Sequence, residues 1–225
     1  MSEPSPLPRI AVLGGTGAEG KGLAYRWAQA GYPILIGSRS RDKAAAAALE
    51  IVQMLDGAPP VLGMINLDAA QQADIVVLTV PYAAHAETLW SVKSALHGKI
   101  LVDVTVPLVP PKVTKAQMPP AGSAAQEAQA ILGEGAEVAA AFHNVSYKLL
   151  LQGAIVDSEV LVTGTSKPTR IEVLKLVKAA GLVGWDAGPL ENSVVAEALT
   201  SVLIHINKVY GSTYAGIRIT GVKQS

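Results

Sequence analysis

Alternation is what most constrains the fold. Short apolar runs at residues 10–14, 33–37, 61–64, 74–80, 99–104, 138–142, 160–163 and 183–186 alternate with helix-like stretches at 18–30, 42–55, 85–96, 123–132, 167–180 and 193–209. Asp68 can cap a further brief helix. The runs DIVVLTV (74–80) and KILVDV (99–104) show no polar alternation, so each reads as a strand buried on both faces of a parallel sheet. Repeated strand–helix units of this kind predict an α/β fold: a doubly wound parallel (Rossmann-type) sheet with right-handed crossovers and a small C-terminal helical/α+β extension. Half of the 225 residues are hydrophobic and only 16% are charged, enough for a large core. With one Phe and three Trp, that core must be built from Ala, Val, Leu and Ile, side chains small enough to pack helices closely on a sheet. In the last helix Val195, Leu199, Val202, Leu203 and Ile206 form one apolar stripe, expected to be core packing, with a dimer face as the alternative.

The same numbers exclude several partners. Lysine plus arginine and aspartate plus glutamate balance at 18 each, so no global field favours nucleic acid or an acidic membrane surface. Cysteine is absent, which removes disulfides, thiol nucleophiles and cysteine-bound metals and fits a cytoplasmic protein. Residues 1–8 are polar and proline-rich and read as a flexible leader, not a signal peptide. No run reaches the ~18 apolar residues of a membrane span.

The chemistry begins at IAVLGGTGAEGKG (10–22), a strand running straight into glycines. Gly15, Gly17 and Gly20 satisfy GxGxxG between a strand and a helix. In that motif the first glycine permits a tight turn, the second lets a pyrophosphate approach the backbone, and the third brings helix and sheet together. The helix N-terminus then offers N–H groups to phosphates, and Thr16, Ala18 and Glu19, between the glycines, are candidate cofactor-binding residues with them. The second strand, where an NAD site carries Asp or Glu, ends instead in Gly37-Ser38-Arg39-Ser40-Arg41-Asp42-Lys43. A hydroxyl beside guanidinium and ammonium groups suits a 2′-phosphate, so Ser38, Arg39 and Lys43 favour NADP(H). Gly14, Gly17 and Gly20 also fit the GxxGxxG of extended short-chain dehydrogenases. Those enzymes need Tyr-x-x-x-Lys, and none of Tyr25, Tyr32, Tyr82, Tyr147, Tyr210 and Tyr214 has lysine four residues on.

A nicotinamide should lie beyond the carboxyl ends of the central strands, against Val80, Pro81, Val104 and Val106. Of the four histidines, only His143 follows a strand there, beside Asn144, Val145 and Ser146. His85 and His205 fall on helices and His97 in a turn, so each reads as structural or solvated. A hydroxyl-oxidising enzyme needs an acid/base group with an orienting carboxylate, and these strand ends do not suggest one. Hydride exchange between two cofactors needs mainly ring positioning, which the residues fit better. Residues 9–165 read as the NADP-binding unit. Residues 166–225 read as a smaller portion that closes the substrate pocket.

One family shares these features in this order. LGGTGAEGKGLA (13–24), IGSRSRDKA (36–44), DIVVLTVPY (74–82), GSAAQEAQ (122–129), AAAFHNVS (139–146), DAGPLENS (186–193) and AGIRITG (215–221) resemble the F420:NADP oxidoreductases, NADPH-dependent reductases of the deazaflavin coenzyme F420. The resemblance implies reversible hydride transfer between C4 of the nicotinamide and C5 of the deazaflavin. It implies that Thr16, Ser38, Arg39 and Lys43 bind NADP and that the His143 segment lines the deazaflavin pocket. It further implies a homodimer or higher homo-oligomer with contacts in the C-terminal portion. An NADPH-dependent flavin or ferric-chelate reductase, or a non-catalytic NADP sensor, are the alternatives.

Overall fold

The computed structural model describes residues 6–55, 57, 60–151 and 156–222, so most of the expected leader, residues 1–5, lies outside the described residues. The first half repeats one unit: β1 (Ile10–Leu13), α1 (Ala18–Gln29), β2 (Ile34–Ser38), α2 (Arg41–Gln53), β3 (Val61–Ile65), α3 (Asn66–Gln72), β4 (Ile75–Leu78), α4 (His85–Val92) and β5 (Ile100–Asp103). The second half holds α5 (Ala124–Leu132), β6 (Glu137–Ala140), α6 (Tyr147–Leu151), β7 (Glu159–Gly164), α7 (Lys167–Ala179), β8 (Val183–Pro189) and α8 (Ser193–Tyr210). The strands form one sheet in the order β3-β2-β1-β4-β5-β6-β7-β8. Strand order reverses between β1 and β4, which opens a crevice at their carboxyl ends.

Burial follows the alternation along each strand. Ile10 and Val12 enter the core beneath α1, α2 and α7, while Ala11 and Leu13 enter the core beneath α3, α4 and α5. Trp27 of α1 anchors the first core. It is fully buried, donates Nε1–H to the Leu176 carbonyl at 2.8 Å and meets Phe142 edge-on at 5.7 Å between ring centroids. Burying a side chain of that size contributes on the order of 3 kcal/mol.

Three expectations need correction. The sheet is parallel only through β6: β7 pairs antiparallel with β6, and β8 runs parallel to β7. A parallel return needs a crossover, usually a long helix. Among its described residues the connection carries only the five-residue α6, which packs on α1. Arg26 secures it there, donating Nε–H to the Leu150 carbonyl at 2.7 Å. The brief third helix starts at Asn66, and Asp68 lies in its first turn, where it pairs with Arg41. Finally, the stripe on α8 is not core. Val195, Val202 and Ile206 are 63%, 48% and 37% exposed; only Leu203 is buried. The buried face of α8 is instead Ser193, Ala196, Glu197, Ser201 and Leu203. A partly polar face went inward because a buried polar cluster waits for it.

Candidate active site

The carboxyl ends of β1, β2, β4, β5 and β6 open into one cavity of about 710 Å³, and α8 forms its far wall. At the near end the glycine loop turns at Gly14, whose φ of +73° favours glycine; a Cβ there would meet Val80 Cγ1 at 2.7 Å. Thr16, Gly17, Ala18 and Glu19 line the cavity. Nothing inside the protein demands glycine at 17, where a Cβ would find only the Gly14 carbonyl at 3.5 Å; the bare backbone faces the cavity. Gly17 also caps α1 without a side-chain acceptor, leaving first-turn N–H groups open to an anion. Gly15 and Gly20 do not line the cavity. They sit behind the loop, where a Cβ on Gly20 would come within 2.7 Å of the Gly15 Cα and closer still to Thr79 Oγ1. Among the described residues Glu19 keeps one buried carboxyl oxygen without a partner, and burial pushes its pKa up to about 8.

The end of β2 supplies the cations. Ser40 caps α2, its Oγ accepting from the Lys43 N–H, and Ser38 Oγ accepts from the Ser40 N–H. Arg41 points away to Asp68 at 3.1 Å. Among the described residues no ion pair involves Arg39 or Lys43, and both face the cavity with Ser38. Asn66, at the start of α3, joins them with a buried amide oxygen that has no partner among the described residues. Buried acceptors and unpaired cations around one space are what a phosphate- and hydroxyl-bearing ligand would satisfy.

Farther along, Val80, Pro81, Val104, Thr105, Val106 and Leu108 form an apolar floor. Then comes the turn after β6. Phe142 adopts φ of +70°, unusual for an aromatic residue, and its wedge against Trp27 holds it. The kink turns His143, Asn144, Val145 and Ser146 toward the cavity. His143 is buried with neither ring nitrogen partnered among the described residues. Burial lowers its pKa to about 4 against the opposing pull of Asp103, so the ring is neutral at pH 7. Asn144 gives its amide to Ser158 Oγ at 3.2 Å and the Glu159 carbonyl at 2.7 Å, tying the turn to the segment that also receives the C-terminal strand-like tail. Thr200 of α8 donates to the His143 carbonyl at 2.8 Å.

Sequence reasoning missed two groups. The first is the α8 face: Thr200, Leu203, Ile204 and Asn207 line the cavity, with Thr213 and Ala215 from the tail. Thr200 and Asn207, seven residues apart in an apolar helix, were the legible signal. The second is His85. It opens α4 fully buried, with Nε2 2.7 Å from Asp103 Oδ2 and Nδ1 3.1 Å from Glu127 Oε1. The histidine–carboxylate pair absent from the strand ends is thus assembled directly behind them. No spacing rule links positions 85, 103 and 127.

One crevice at the carboxyl ends of a doubly wound sheet, with a glycine loop and unpaired cations along it, is the arrangement of a Rossmann-type oxidoreductase. Comparison with known proteins narrows the class. Residues 9–107 match the family model for coenzyme F420-dependent NADP oxidoreductases. An F420-dependent NADP reductase of Methanocaldococcus jannaschii is 39% identical over 96% of this chain and 99% of its own. One from Methanothermobacter marburgensis is 38% identical over 96% of this chain and all of its own. A solved structure described as an F420-dependent NADP-reductase, from Arthrobacter sp. FB24, superposes with a TM-score of 0.79 at 28% identity, covering 95% of this chain and 99% of that one. The chain belongs to the coenzyme F420-dependent NADP oxidoreductase family.

Proposed function

We propose that this protein catalyses reversible hydride transfer between NADP(H) and coenzyme F420 in the cytoplasm. The observation that carries the reading is the continuity of the cavity, from the unpaired cations at Arg39 and Lys43, past the strand ends, to the neutral wall of α8. NADP(H) lies along the first stretch. Gly17 and the open N–H groups of α1 hold the pyrophosphate, with Thr16, Ala18 and Glu19 beside it, and Ser38, Arg39 and Lys43 hold the 2′-phosphate. Gly15 and Gly20 act indirectly, by seating the loop. Val80, Pro81, Val104 and Val106 support the nicotinamide, and His143, Asn144, Val145 and Ser146 orient the deazaflavin against α8. The reaction is NADPH + F420 + H⁺ ⇌ NADP⁺ + F420H₂, hydride passing between ring carbons. The protein's part is to stack two rings and exclude water. No helix among the described residues is long and apolar enough to cross a membrane.

Residues 9–165 form the nucleotide-binding unit in this reading, and 166–225 close the pocket through α8. The exposed Val195, Val202 and Val209, spaced by sevens on α8, are the surface through which two copies pair. Mixing the protein with NADPH and either F420 or FMN tests the function. Loss of the deazaflavin absorbance band with F420, and a much slower change with FMN, is expected. Reduction of FMN or a ferric chelate but not of F420 would overturn it.

A further inference from the structure

Beside the end of β5 lies a buried cluster to which the reading above gives no part. His85 is fully buried and has a carboxylate oxygen against each ring nitrogen, Asp103 at 2.7 Å and Glu127 at 3.1 Å. A neutral imidazole has one N–H and one lone pair, so it can donate to only one of two ionised carboxylates. Two such partners therefore call for an imidazolium. That charge sits at the first residue of α4, where the helix dipole disfavours a cation, so the carboxylates must outweigh it. Two further groups face the cluster. The Tyr82 ring lies 5.9 Å away and its hydroxyl donates to Glu127, while burial pushes the Glu197 carboxyl of α8 up to about 8, so at pH 7 it is largely protonated and the charge opposite His85 comes from Asp103 and Glu127. Burial depresses the imidazole pKa, but Asp103 and Glu127 lift it above its ordinary value.

The cluster reaches the cavity through Asp103. Its Oδ2 meets His85, while its Oδ1 accepts the Thr105 N–H at 2.9 Å. That bond closes the turn that presents Val104, Thr105 and Val106 to the cavity. Glu197 extends the same cluster to the far wall, accepting the Ala124 and Ala125 N–H groups at 2.7 and 3.1 Å and so pinning α8 to the start of α5.

We propose that His85 is a positioning residue for hydride transfer: held as an imidazolium between Asp103 and Glu127, it fixes the Asp103–Thr105 turn on which the nicotinamide rests. The inference rests on the nicotinamide lying against the β5 end, as proposed above. The clamp is intact below the folded pKa of His85 and loosens as pH rises through it, so kcat falls on the alkaline side while the distant phosphate contacts persist.

The first test needs no cofactor. Nitrogen-15 spectra of the ligand-free protein at pH 7 are expected to show both His85 ring nitrogens protonated, and Glu127→Gln to lower the pH at which that proton is lost. His85→Gln, which keeps one hydrogen bond and loses the charge, is expected to lower kcat about 10- to 100-fold with a much smaller change in the NADPH KM. Glu127→Gln, at the partly exposed end of the cluster, is expected to move the alkaline limb of kcat down by about one pH unit. A neutral His85 at pH 7, or His85→Gln with wild-type kcat and pH profile, overturns the proposal. If His85→Gln does not fold, an alkaline limb that Glu127→Gln leaves in place overturns it equally. Failure of the wild-type protein to reduce F420 would sink the functional reading instead, and the nitrogen-15 result would still stand.

Discussion

Arg39 and His143 mark the two ends of the cavity, and their opposite electrostatic states divide the work between them. Arg39 is exposed and unpaired, whereas its neighbour Arg41 is committed to Asp68. If Arg39 holds the 2′-phosphate as proposed, its removal deletes a charge-assisted contact of about 1.5–3 kcal/mol. Arg39→Ala should therefore raise the KM for NADPH about 10- to 100-fold while leaving that for NADH nearly unchanged. An unaltered NADPH/NADH preference would count against the 2′-phosphate site. His143 is buried and neutral, its pKa lowered to about 4 from an ordinary 6.5. As pH falls from 6.5 toward 4, the unfolded chain takes up a proton that the folded ring refuses. Stability is then lost through that window, by about 3 kcal/mol in all. Urea unfolding at pH 7 and pH 4.5 should show the loss in the wild type and a smaller one in His143→Gln. The placement of Ser38, Arg39, Lys43 and His143 around one cavity was legible from strand ends alone. The partners of His85 were not, because hydrogen bonds between positions 85, 103 and 127 exist only once α4, β5 and α5 are packed.

At the scale of elements, the junction of β1 and α1 is the most tightly constrained. Gly20 lets α1 sit against Thr79 and the Gly15 backbone. Gly20→Ala should push the helix off the sheet, lowering stability by about 1–3 kcal/mol and weakening NADPH binding with it; a thermal melt and a binding titration measure both. A stable Gly20→Ala protein with unchanged NADPH affinity would argue that the helix N-terminus does not hold the pyrophosphate. The parallel strands β1, β2, β4, β5 and β6 could be read from apolar runs, since each is largely buried on both faces, and β3, at the sheet edge with Leu62 exposed, from its short apolar run between turns. The reversal at β7 could not. Strand direction depends on where the preceding segment goes, and α6 is held on α1 by Arg26, a contact more than a hundred residues apart in sequence. The stripe on α8 shows the same limit. Helical period identifies which residues share a face, but the direction that face points follows Glu197, whose carboxyl oxygens accept the first N–H groups of α5.

For the molecule as a whole, the outward stripe has a consequence. Val195, Val202 and Val209 are all strongly exposed along one side of an 18-residue helix, about 21 Å of apolar seam. Covered by a second copy, the seam would brace α8, and with it the far wall of the cavity. Sedimentation should give a dimer for the wild type, and Val202→Glu should dissociate it while retaining the monomer fold. A monomeric wild type would refute the pairing. The sequence alone determined the layered α/β architecture, the glycine loop and the preference for a 2′-phosphate, because each depends on local periodicity or on residues within one strand–turn–helix unit. Only the tertiary structure decided the turn of β7, the inward face of α8 and the buried His85–Asp103–Glu127 cluster beside the end of β5. Those arise from burial and from charges brought together across the chain, and a buried charge takes its state from neighbours that sequence spacing does not encode.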